Sequence, residues 1–63
     1  MQVRRFLIDW ETFYHVKESG HGFTIFEDTT ARYIPITADG FPVSLPACPT
    51  LADAVALALS HCL

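Results

Sequence analysis

Turn signals recur at short intervals along the first two thirds of this chain: "SGHGF" at Ser19–Phe23, "DTT" at Asp28–Thr30 and "ADG" at Ala38–Gly40. Between them lie runs rich in aromatic and β-branched residues, which is the pattern of short strands joined by tight turns. The stretch "SGHGF" (Ser19–Phe23) decides what kind of turn. Two glycines around a histidine could cradle a phosphate, but a cradle needs a helix starting directly after the loop. The sequence that follows, "FTIF", is strand-like, so the glycines are read as supplying the positive φ of a hairpin turn, with His21 at its exposed tip.

On either side of that turn the alternation is clear. In "GFTIFED" Phe23 and Ile25 share a face with Glu27, and Thr24 and Phe26 share the other. In the N-terminal "VRRFLIDWETFYHVKES", Phe6, Ile8, Trp10, Tyr14 and Val16 fall on alternate positions. A helical face of Phe6, Trp10, Phe13 and Lys17 would leave Ile8 and Val16 unexplained, so the segment reads as strand. It is long for one strand, and a bend, bulge or short break is expected near "DWET". "ARYIPIT" is a third strand, lying at an edge or kinked at Pro35, which has no N–H to donate. "FPVSLP" is a short fourth strand with Phe41, Val43 and Leu45 on one face.

The last segment changes period. Thr50 is a good N-cap and Asp53 falls in the first turn, where the helix dipole favours a negative charge. Leu51, Val55, Ala58, Leu59 and Cys62 then form one stripe with Ala54 at its edge, leaving Asp53, Ala56, Leu57 and Ser60 outside. The expected fold is a single α+β domain over residues 1–63: a three- to four-stranded antiparallel β-meander with one C-terminal α-helix packed on one face.

Composition limits the function. Four Lys/Arg against seven Asp/Glu give a net charge of −3, which lacks the concentrated basic face of a nucleic-acid binder. The N-terminus runs into charged, strand-like sequence, so no signal peptide is expected. The longest apolar run, "LADAVALAL", is far short of a membrane span. A cytoplasmic protein is expected. Cys48 and Cys62 flank the helix, whose length would hold the sulfurs apart, so both are read as free thiols in a reducing compartment. Hydrophobic residues make up 51% of the chain, more than a chain this short can enclose. Only one charged residue, Asp53, occurs from Phe41 onward.

Candidate chemistry is sparse. His15, His21, Cys48, His61 and Cys62 could ligate a metal, but none has the close pairing of zinc ligands, and no metal or cofactor is expected. Cys48 next to a helix N-terminus could be a nucleophile, yet the sequence places no histidine beside it. The pairs Asp9/Glu11 and Glu27/Asp28 could act as acid and base but read more simply as surface. Trp10, Tyr14, Phe23 and Tyr33 could stack bases, but too few cations accompany them and a core role is expected. No catalytic residue is assigned.

The order of strands, a "PAC" loop (Pro46–Cys48) and "TLADAVALAL" resembles the small sheet-plus-helix domain of HicB-type antitoxins. The likeness lies in the C-terminal part of the chain and is one of topology. The long N-terminal strand and the lack of a separate DNA-binding segment depart from that pattern, and no residue role is carried over.

The functional expectation rests on apolar surface that one helix cannot cover. It is a non-enzymatic protein-interaction or regulatory module, a homodimer or the binder of a protein partner, with Leu57, Ala56, Leu7, Phe13 and Phe26 as interface residues. The alternatives are a small-molecule-binding protein or small enzyme with a pocket between helix and sheet, and an antitoxin-like or nucleic-acid-associated accessory protein.

Overall fold

The structure, a computed structural model, describes residues 1–62; Leu63, which the single-domain expectation included, lies outside them. Five antiparallel strands run in sequence order: β1 (Gln2–Ile8), β2 (Glu11–Glu18), β3 (His21–Glu27), β4 (Tyr33–Ala38) and β5 (Phe41–Pro42). A single helix, α1 (Leu51–Ser60), packs against β4 and β3. The α+β class, the antiparallel sheet and the C-terminal helix agree with the sequence reading. The strand number is five rather than three or four.

The additional strand comes from the N-terminal segment, which reverses instead of bending. Asp9 and Trp10 both adopt positive φ, 50° and 69°, and positive φ at both central residues is the geometry of a two-residue hairpin turn whose twist matches its strands. Phe6 therefore pairs with Phe13, and Val3 with Val16. The single alternation expected from Phe6 to Val16 is broken. Phe6 and Ile8 share a face with Phe13, while Tyr14 and Val16 point to the other side.

Two more hairpins use the same device. Ser19 and Gly20 have φ of 52° and 79°, and Asp39 and Gly40 have 51° and 82°. His21 is thus not at a tip: it is the first residue of β3, paired with Glu18. Between β3 and β4, Asp28 organises a wider turn. Its Oδ1 accepts from the N–H of Thr30 and Arg32 at 2.9 and 3.0 Å and from the Thr30 hydroxyl at 2.7 Å.

"FPVSLP" pairs only at Phe41–Pro42. Val43 N–H still donates to Ile36 O at 3.0 Å, and the chain then returns to β4 at Cys48, which exchanges two 2.8 Å backbone hydrogen bonds with Tyr33. Because Tyr33 directs its N–H outward, Pro35, two residues on, places its nitrogen on the same outer side, between the Cys48 bridge and β5. No donor is missed there. Next to it the β3–β4 register shifts between Thr24 and Ile25.

In α1 the Thr50 hydroxyl caps the Asp53 N–H at 3.1 Å, as its position predicted. The buried helix residues are Ala54, Val55 and Ala58, and they join Val16, Phe23, Ile25 and Cys48 in one core. Ala54 is therefore central rather than marginal. Leu57 is half-buried against that core instead of lying on the outer face. With Ala54 and Ala58 at the centre of the buried arc, Leu57, three residues after Ala54, falls at its edge. Among the described residues, no helix is long and apolar enough to cross a membrane.

Candidate functional site

Two places concentrate side chains that the core does not absorb. The first is the sheet face without a helix. The register lines up Phe6, Phe13, Phe26 and Ile34 in one row across β1 to β4. Phe6 and Phe13 stack at 5.6 Å between ring centroids, and Phe13 and Phe26 tilt against each other at 5.3 Å. Both separations lie in the favourable range for aromatic pairs. All four side chains are half-buried by one another, with no helix covering the row.

Charge is divided along this face. On one side of the row, Arg4 is opposite His15 and Gln2 opposite Lys17, and these four residues line a shallow groove. On the other side Glu11 is opposite Ile8, and Glu11, Asp28, Phe26 and Trp10 border a second groove. Neither groove lies between helix and sheet. β1 is also open on its helix side, because α1 packs on β3 and β4: Val3 and Leu7 are exposed there, Leu7 at 57%. At the tip Trp10 is 96% exposed in the left-handed region, where a bulky residue is strained.

The second place is polar. His21 opens β3, Asp39 starts the β4–β5 turn and Cys62 follows α1. His21 Nδ1 lies 2.9 Å from Asp39 Oδ2, and the Gly22 N–H donates to Asp39 Oδ1 at 2.9 Å. One ligand atom from each of His21, Asp39 and Cys62 can be chosen so that all three lie within 4.8 Å of one another. The Gly22 N–H, followed by His21, holds the Asp39 carboxyl below its ordinary pKa. Desolvation, and then the facing Asp39 carboxylate, push the Cys62 thiol up. Asp39 is thus the group against both the imidazole and the thiol. A nucleophilic cysteine would need the imidazole in that middle place.

The residues singled out from sequence separate accordingly. Of the five metal candidates, His21 and Cys62 come together, while His15 lies on the open face, His61 is exposed at the helix C-cap, and Cys48 is buried. Cys48 is a core residue whose thiol reaches Pro46 O at 3.7 Å. Asp9 sits in a turn, so it does not share a strand face with Glu11. Glu27 accepts a 2.6 Å hydrogen bond from the Tyr14 hydroxyl, whereas Asp28 builds its turn. Of the four aromatics, Phe23 is buried, Tyr14 and Tyr33 meet at 5.8 Å, and Trp10 stands alone, so they form no common platform. Among the expected interface residues, Phe13 and Phe26 are neighbours on the open face, Leu7 lies on the helix side, Ala56 is on the outer helix surface and Leu57 packs inward.

Sequence reasoning missed Asp39 and Phe6 as parts of these clusters. Asp39 meets His21 only because Phe23 pairs with Ala38, a register that local spacing does not encode. Phe6 would have been found from a hairpin turn at Asp9–Trp10, but that turn lacks the usual glycine. Comparison with known protein families, with curated proteins and with solved structures finds no match to this chain.

Proposed function

We propose that this chain is a non-enzymatic protein-interaction module that works as a homodimer, two copies stacking the open faces of their sheets. The observation that carries this reading is the row Phe6–Phe13–Phe26–Ile34 on a face without a helix. An apolar row of this kind is normally enclosed by a second layer. Its borders favour a second copy as that layer. A two-fold axis in the sheet plane and perpendicular to the strands sets Arg4 and Lys17 of one copy over Glu11 of the other, with the phenylalanine rows between them. Residues on either side of the row thereby become each other's complement. The strained, exposed Trp10 adds an anchor at the rim of the same hairpin.

Sedimentation of the wild type and three variants tests the arrangement. The wild type should be a dimer at micromolar concentration. Phe13→Asp should be a folded monomer, because a charge in the row opposes enclosure while leaving the helix-side core intact. Lys17→Glu should weaken the dimer and the added Glu11→Lys should restore it, as a two-fold face-to-face contact requires. A wild type that stays monomeric at high concentration would overturn the reading. So would a dimer that ignores Phe13→Asp, which would point instead to pairing along the free edge of β1.

A further inference from the structure

We propose that His21, Asp39 and Cys62 form a binding site for a zinc-class divalent cation that ties the end of the helix to the sheet. The site is independent of the open face, since His21 shares the helix side of β3 with Phe23. Three segments far apart in sequence deliver one donor each: an imidazole nitrogen, a carboxylate oxygen and a thiol sulfur. Mixed nitrogen, oxygen and sulfur donors suit a borderline-soft ion and are unsuited to magnesium or calcium, which take oxygen.

The geometry is close to what such an ion needs. Metal–ligand bonds of about 2.0–2.3 Å in a tetrahedron place neighbouring donors about 3.3–3.8 Å apart. The His21–Asp39 separation of 2.9 Å has to widen by a few tenths of an ångström, and the sulfur separations, within 4.8 Å, close by about 1.3 Å at most. Turn and C-terminal side chains can make such shifts without disturbing the sheet.

The surroundings orient two of the ligands. The Gly22 N–H holds Asp39 Oδ1, leaving Oδ2 toward the site, in the way that hydrogen-bonded carboxylates are fixed around bound metals. The His21 ring lies roughly parallel to Phe23, 6.4 Å between centroids and 21° between planes, which limits its rotation. With Nδ1 as ligand the imidazole keeps its proton on Nε2, and the Cys62 thiol releases its proton to solvent as the metal–sulfur bond forms. His21 and Asp39 side chains are 28% and 43% exposed, so an ion enters from water and a water molecule can fill the fourth position.

Titration of the reduced full chain with Co²⁺ and Zn²⁺ tests the site. One equivalent of Co²⁺ should give a thiolate charge-transfer band that Zn²⁺ removes, and Zn²⁺ should protect one of the two thiols from modification and raise Tm. Cys62→Ser should abolish the band, and Cys62→Ser, His21→Gln and Asp39→Asn should each weaken Zn²⁺ binding by at least about 100-fold, more than losses from groups that merely orient ligands. Cys48→Ser and His61→Ala should bind as the wild type does, and circular dichroism should show every variant folded. Absence of saturable binding at one equivalent, an unchanged affinity in Cys62→Ser, or a loss of binding in His61→Ala would each overturn the assignment. Phe13→Asp should keep full Zn²⁺ affinity, which separates this site from the dimer contact.

Discussion

In the β3–β4 half of the sheet, Phe23, Ile25 and Pro35 are completely enclosed, whereas in β1 every residue but Phe6 is exposed. Both regions are rich in apolar and aromatic residues, so the contrast is one of coverage rather than composition. A helix of ten residues is about 15 Å long and, with side chains, about 10 Å across. Strands lie about 4.8 Å apart, so one such helix covers two or three of them. α1 covers β3 and β4 and reaches Val16 of β2 through the shared core. β1 is the remainder, open on both faces and along one edge. The exposed apolar surface is therefore concentrated at β1 and its turn, in Val3, Leu7, Ile8 and Trp10, with Met1 and Phe41 exposed beyond it.

The largest test of that contrast exchanges the same residue type in the two regions. Phe23→Ala should cost about 3–5 kcal/mol, as emptying a filled core site does, and that is enough to unfold most of a population of so small a domain. Phe6→Ala should cost the monomer only about 1–2 kcal/mol, since Phe6 is half-exposed and loses one aromatic contact and part of a side chain's apolar burial. Urea melts at low protein concentration measure both. Equal losses would mean that β1 is as integral to the monomer as β3, and the division between the halves would fail.

A smaller effect of opposite sign is expected at the hairpin tip. Trp10 occupies φ of 69°, a region that costs a residue with a side chain roughly 1 kcal/mol relative to glycine. Trp10→Gly should therefore stabilise the monomer by about 1 kcal/mol while weakening the dimer, because Trp10 makes its contribution outside the chain. Stabilisation without any loss of association would remove Trp10 from the interface.

How much of this was legible depends on the range of the signal. The Thr50 cap, a hairpin turn within "SGHGF" and the alternation of Phe23 and Ile25 are local, and the structure keeps all three, although only Gly20 of the two glycines has positive φ and the turn lies at Ser19–Gly20, ahead of His21. The Asp9–Trp10 turn is also local but carries no glycine, so a reversal looked like a long strand and the faces of Phe6 and Ile8 were reversed relative to Val16. A wheel drawn through Leu51, Val55, Ala58, Leu59 and Cys62 leaves Leu57 outside, whereas the buried arc is centred on Ala54 and Ala58 and takes Leu57 in at its edge. The grouping of His21, Asp39 and Cys62 depends on strand register and on where the helix ends, neither of which spacing reveals.

At the border between the halves, the Tyr14 hydroxyl joins β2 to Glu27 of β3. That hydrogen bond, with desolvation, raises the Tyr14 pKa above its ordinary 10.0. A raised folded-state pKa means stability that is fully present below the unfolded value and lost as pH rises through the folded one. The wild type should lose stability above pH 10.0 more steeply than Tyr14→Phe. The variant itself should be weaker at neutral pH by about 1 kcal/mol or less, since the pair is only partly buried. Parallel alkaline profiles would show that the bond contributes nothing across this border.

The smallest effect belongs to the packed half. Asp28 holds the β3–β4 turn by accepting from Arg32 and Thr30, and these donors lower its pKa below the ordinary 3.8. The sign is opposite to that of Tyr14. A depressed carboxylate contributes stability above its unfolded pKa, and the contribution disappears as pH falls through the folded value. Asp28→Ala should therefore melt below the wild type at neutral pH, and the gap should narrow and close as the solution is acidified below pH 3.8. The group is exposed and screened, so the gap should be modest and should shrink in high salt. A gap that stays constant with pH would mean that Asp28 acts through the shape of its turn alone, and the charge would then have no part in joining β3 to β4.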